Sequence, residues 1–114
     1  MTVRDVLEKI GVEVLCEAGA DRPVTGAVVG DLLSFVMGNA PEGAVWVTVV
    51  AHVNVAAVAV LKDLPCILLA AGREAAPDFL ERCRREEIAV GRSPRSPFDL
   101  CGALWELGLR GEEA

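Results

Sequence analysis

The chain has few of the residues on which enzyme chemistry usually rests. It holds a single histidine, His52. Its four cysteines, Cys16, Cys66, Cys83 and Cys101, are widely spaced with no C-x-x-C, so there is no zinc or cluster signature. Each lies among apolar residues, where a free thiol behaves as a small buried hydrophobe in a reducing compartment. Positive charge is scarce: Lys+Arg is 11 against 17 for Asp+Glu, a formal net charge of −6. That balance argues against nucleic acid as a partner, since nucleic-acid binders carry a basic surface, and against an acidic membrane. No apolar run is long enough to span a bilayer, because His52 and Asn54 interrupt the longest one. The opening MTVRDVLEKIG lacks the apolar segment of a signal peptide. The expectation is a soluble, cytoplasmic protein.

What is present points to one globular domain, residues 1–114. Hydrophobic residues make up 53% of the chain and charged residues 25%, a composition that folds rather than stays disordered. The apolar share is high for so short a chain, which suggests strands buried on both faces or a subunit interface. The stretch Val45 to Leu61, VWVTVVAHVNVAAVAVL, organises the rest. It reads as a buried strand, a short polar turn and a helix.

Taken in order, Thr2 caps a helix over Val3 to Ile10, with Val3, Val6, Leu7 and Ile10 on one face and Gly11 as its stop. Val12 to Cys16 and Val24 to Val29 read as short strands around the turn Gly19 to Pro23. Asp31 reads as the N-cap of a helix beginning Leu32-Leu33, which Gly38-Asn39 ends. After the central strand, Val45 to Val50, comes a helix over Asn54 to Lys62, with Asn54 as its cap. Cys66 to Ala70 is an apolar strand, Pro77-Asp78 opens an amphipathic helix, and Ile88 to Val90 is a further core strand. Ser96 and Pro97 start a last helix, Phe98 to Leu107. Gly108 ends it, and RGEEA is expected to fray. Apolar strands alternating with helices predict an α/β fold: a small open, mostly parallel sheet of about five strands, flanked by helices on both faces.

In such a sheet ligands bind beyond the carboxyl ends of the strands. Three loops should gather there: Ala51 to Asn54, Gly72-Arg73-Glu74, and Arg92-Ser93-Pro94-Arg95-Ser96. They bring His52, Asn54, Gly72, Arg73, Arg92 and Ser93 to one edge, each loop leading into a helix N-terminus that favours anions. These residues, with Thr25 and Gly26 near the second strand, are the candidates for an anion or phosphate-bearing ligand. The plain alternative is a set of solvated loop residues and caps. As an imidazole, the side-chain type suited to general acid–base work at physiological pH, His52 invites a catalytic reading, but no G-x-S-x-G elbow or nucleophile–His–Asp order accompanies it. No catalytic residue, metal site or cofactor is expected. The Gly26 to Gly30 region lacks the lysine and serine of G-x-x-x-x-G-K-[ST], and Asp31 would compete with a phosphate there.

Asp21-Arg22-Pro23-Val24-Thr25-Gly26, then Gly30-Asp31-Leu32-Leu33-Ser34, Trp46-Val47-Thr48 and the segment His52 to Leu61, in that order, resemble the DRTGG domain family. Asp21, Arg22, Thr25 and Gly26 match the letters that name it, while Ala27 replaces the final glycine. The resemblance covers Val3 to Leu107. It implies a regulatory or dimerising module, similar in fold to the amino-terminal domain of HPr kinase, whose phosphate loop belongs to a separate catalytic domain. Relatives occur within phosphate acetyltransferases and between the nucleotide-binding CBS domains of certain pyrophosphatases. The expected function is therefore non-catalytic regulation or dimerisation, with sensing of a nucleotide or other phosphate-bearing metabolite. The alternative is a small enzyme using His52 with Thr25 or Ser34 in phosphoryl or acyl transfer. Expected partners are a second copy of the chain, through the surface around Thr25 to Ser34, a phosphorylated small molecule, and a protein of a metabolic or redox enzyme system.

Overall fold

A computed structural model describes residues 1–111. The elements are α1 (Val3–Ile10), β1 (Glu13–Cys16), β2 (Gly26–Val29), α2 (Leu33–Asn39), β3 (Ala44–Thr48), α3 (Val53–Lys62), β4 (Cys66–Leu69), α4 (Pro77–Arg85), β5 (Ala89–Arg92) and α5 (Pro97–Glu106). The strands form one sheet in the order β1-β5-β4-β3-β2. Only β1 is antiparallel, against β5; β2, β3, β4 and β5 pair in parallel. This is the expected α/β architecture, with helices on both faces.

The alternation of strand side chains divides the core. Trp46, Ile67 and Leu69 face the layer of α2, α3 and α4, and Val45, Val47, Cys66 and Leu68 face α1 and α5. Every residue of β3 and β4 is buried. Each large apolar side chain so buried contributes about 1.5–3 kcal/mol, which is why these strands read as unbroken apolar runs. Local signals close the helices. Thr2 and Asp5 form a reciprocal capping box on α1, and Gly11 ends that helix in the left-handed conformation, φ 73°. The Ser96 hydroxyl accepts from the Asp99 N–H at the head of α5.

Four local expectations are corrected. Asp31 does not cap α2; Leu32 does, without a side-chain bond. The Asp31 carboxylate instead reaches β3 and accepts from the Thr48 hydroxyl (2.8 Å) and the Val49 N–H (2.9 Å). Those two donors lie just past the last residue that β2 pairs, so the carboxylate supplies their acceptor. Asn54 does not cap α3; His52 does, its Nδ1 accepting from the Asn54 N–H at 3.1 Å. Arg92 is not in a loop but closes β5, opposite Glu13 of β1. Gly91 makes this possible: a Cβ there would lie 2.6 Å from Val12 Cγ2 and 3.0 Å from Leu68 Cδ2. Finally, the chain end does not fray at Arg110. Leu109 is buried, and the Arg110 carbonyl accepts from the Ala27 N–H of β2 at 3.1 Å. Glu112 to Ala114 lie outside the described residues.

Candidate functional site

The candidate residues divide between the two ends of the sheet. His52, Asn54, Gly72, Arg73, Arg92 and Ser93 follow β3, β4 and β5 at the carboxyl edge. Asp21, Arg22, Thr25 and Gly26 precede or begin β2 at the amino edge. The five residues of β3 separate them, roughly 16 Å at about 3.3 Å per residue. His52 and Thr25 therefore stand apart, and the sheet does not assemble them into a nucleophile–base pair.

At the carboxyl edge the loop after β4 and the loop after β5 are laced together. Gly72 N–H donates to the Ser93 carbonyl (2.8 Å) and Ala71 N–H to the Arg95 carbonyl (2.7 Å). Ser93 is buried, and its Oγ accepts from the Arg95 N–H, so its hydroxyl is spent on the turn. The Arg92 guanidinium holds Glu13 Oε2 through Nε (3.0 Å) and Nη2 (2.8 Å). A cleft of about 340 Å³ lies beside that pair, lined by Gly11, Glu13, Gly72, Glu74, Arg92 and Pro94. Arg73 and Arg95 are exposed, and neither holds an ion pair among the described residues. The three helix starts here differ. Asp78 and Asp99 occupy the first turns of α4 and α5, whereas the first turn of α3 carries no acidic residue. Exposed His52 caps it with Nδ1 as acceptor, which leaves Nε2 as the nitrogen bearing the proton in the neutral ring.

At the amino edge the same letters that carried the family resemblance are wired into the fold. Arg22 donates to the Glu87 carbonyl (2.8 Å) and pairs with Asp63 Oδ1 (2.7 Å). Asp63 and Glu87 both have left-handed backbones, φ 55°, after α3 and α4. One guanidinium thus ties two helix ends to the approach to β2. Asp21 pairs with Arg4 of α1, not with Arg22. The Thr25 hydroxyl donates to the Glu42 carbonyl at 2.8 Å, and its N–H donates to the Gly43 carbonyl. Gly43 has φ 83°, and a Cβ on it would sit 2.4 Å from Thr25 Oγ1. A groove of about 460 Å³ opens beside these residues, walled by Arg22, Thr25, Pro41, Asp63, Pro65 and Arg110. Pro41, Asp63 and Arg110 belong to no motif; only the tertiary fold brings them to Thr25.

Three of the four thiols are poor nucleophiles. Burial pushes Cys66 and Cys83 up to about 12 and raises Cys101 as well, so all three favour the protonated, unreactive form. Among the described residues no group of histidine, cysteine or carboxylate side chains is arranged to hold a metal ion. No helix there is long and apolar enough to cross a membrane.

No protein-family model matches the chain, and no curated protein matches it either. A solved structure does: the CBS and DRTGG domains of the regulatory region of Clostridium perfringens pyrophosphatase, complexed with the activator diadenosine tetraphosphate. It superposes with a TM-score of 0.74 at 13% sequence identity, over 90% of this chain and 45% of that one. The chain thus spans less than half the length of its structural neighbour. At that identity the likeness is one of fold, and the fold of this chain is DRTGG-like.

Proposed function

We propose that the chain is a non-catalytic regulatory module that senses a nucleotide or another phosphate-bearing metabolite and associates as a homodimer. The observation that carries the sensing role is the carboxyl edge. Arg73, on the loop after β4, and Arg95, on the loop after β5, are exposed there without ion pairs among the described residues, and α3, which starts after β3 at the same edge, has no carboxylate in its first turn. Free N–H groups and guanidinium groups together suit a phosphate. The fold supports the same reading, because its structural neighbour is the regulatory region of a pyrophosphatase with a nucleotide activator bound. In this reading His52 and Asn54 present the start of α3, Gly72 lets the loop backbone approach, and Arg73 and Arg95 bind phosphate oxygens. Arg92 and Ser93 hold the loop in place, and Thr25 and Gly26 at the far edge take no part. The dimer face is β2 with α2, where Val29, Leu32 and Phe35 are exposed.

The test is a thermal-stability screen with nucleotides, acyl phosphates and coenzyme A derivatives, repeated on Arg73→Ala/Arg95→Ala. A compound that raises the melting temperature of the wild type and fails on the double variant supports the site. An equal rise in both proteins refutes the placement, and no response to any phosphate compound refutes the sensing role. Light scattering across a concentration series checks the dimer; a strict monomer throughout removes that part.

A further inference from the structure

The two edges of the sheet are protected by different means. The β1 edge carries Glu13, has Glu17 just beyond its end, and breaks register between Val14 and Cys16. Charge and a bulge are standard defences against strand-to-strand pairing. The β2 edge has neither. Its residues, Gly26-Ala27-Val28-Val29, carry no charge and no proline, and their register with β3 is unbroken. Gly30 N–H donates inward to the Val47 carbonyl, so alternation turns the N–H groups of Ala27 and Val29 outward.

What lies against that edge is the segment that follows α5, Leu109 to Gly111. Ala27 N–H donates to the Arg110 carbonyl, as it would to a neighbouring strand. Leu109 is 7% exposed. The Arg110 guanidinium stacks 3.5 Å above the Trp105 ring and donates to the Trp105 and Leu109 carbonyls. Gly26 is shaped for this contact: a Cβ on it would stand 2.7 Å from the Arg110 carbonyl oxygen. The segment also walls an apolar pocket of about 200 Å³ with Val29, Leu104 and Trp105.

We infer that Leu109–Gly111 is a strap that closes the β2 edge, that Gly26 is the notch seating it, and that lifting it opens the edge to the β2 edge of a second copy. This rests on the dimer reading above and adds its control. The occupant follows from the edge itself. It already accepts extended backbone of this chain. Two β2 strands meeting about a two-fold axis would appose uncharged residues, with Phe35 on one face and Trp105 on the other, both exposed. Two β1 edges would instead bring Glu13 and Glu17 of both copies together, which like charge opposes.

The experiment compares the full-length wild type with Gly26→Ala, which displaces the strap from its notch, and Arg110→Gly, which removes the stacking without touching the sheet. Hydrogen exchange, run at a dilution that keeps the chain monomeric so that no second copy covers the edge, reads the Ala27 N–H, and sedimentation velocity over a concentration series reads self-association. In both variants Ala27 should lose protection about tenfold or more, and self-association should tighten by about tenfold. Adding Val29→Lys should abolish the gain by placing charge on the edge. Ala27 protection unchanged in both variants, or lost with no change in self-association, overturns the strap. A monomeric wild type with dimeric variants supports the strap and defeats the constitutive dimer. A wild-type dimer whose affinity is blind to both variants does the reverse.

Discussion

Arg22 and Arg73 are both arginines on connections at the rim of the same sheet, and they have opposite fates. Arg22, at the amino end, spends its guanidinium on Asp63 and the Glu87 carbonyl, and its backbone carbonyl accepts from Val3 N–H. Arg73, at the carboxyl end, is exposed and holds no ion pair among the described residues. The difference follows from chain direction. In the parallel part of the sheet the amino end receives the returns from the helices, and those returns must satisfy helix carbonyls left over at their C-termini. The carboxyl end leads into helix N-termini, whose free N–H groups are satisfied by short local caps such as His52 and Ser96. One end is bound into the fold, and the other leaves the Arg73 and Arg95 guanidinium groups exposed without ion pairs among the described residues.

The contrast can be tested from the strongest effect downward. Cys66 begins β4 at the sealed end, and its thiol is held up at about 12 against an ordinary 9.0; Cys83 behaves alike. A folded-state value above the unfolded one means stability is complete below about pH 9 and falls as pH rises toward 12. Denaturant melts across the alkaline range should show this loss, and Cys66→Ala should flatten it. An unchanged slope would mean that the amino end is open to water. Gly19→Ala should cost about 3 kcal/mol, because the backbone has φ 68° and the new Cβ would meet the Glu87 carbonyl oxygen at 2.2 Å. Arg22→Ala should destabilise by about 2 kcal/mol by equilibrium unfolding, since it strips a partner from two helix ends at once.

Asp31→Ala sharpens the comparison, because Asp31 is a carboxyl-end residue whose side chain is committed to the fold. Losing the acceptor for buried Thr48 and for Val49 N–H should cost about 1–2 kcal/mol, nearer to Arg22 than to Arg73. The smallest effect belongs to His52→Ala, which removes one cap bond from α3 and should cost about 0.5–1 kcal/mol. If His52→Ala proved as harmful as Arg22→Ala, the division between a bound end and a free end would not hold.

Much of the fold was legible in the residues. The stripe Val3, Val6, Leu7, Ile10 with Thr2 and Gly11 at its ends specified α1 because all its determinants are local. The unbroken apolar runs of β3 and β4 announced a sheet covered on both faces. Less of the site was legible. Asp31 sits where an N-cap should, yet its carboxylate goes to Thr48 and Val49, seventeen and eighteen positions away, and no local pattern reports that competition. Arg92 reads as part of a polar loop because Glu13, the partner that keeps it on β5, is remote in sequence. The amino-edge groove could not be read at all, since Arg22, Thr25, Asp63 and Arg110 share no spacing.

The sequence by itself determined the alternation of strands and helices, the two-faced core and the caps of α1 and α5, because periodicity and capping act over a few residues. Only the tertiary structure decided that Asp21, Arg22, Thr25 and Gly26 stand at the opposite end of the sheet from His52 and Arg73, and that the segment around Arg110 lies on β2. Strand order and the return of each connection set those distances, and they depend on how whole faces pack against one another.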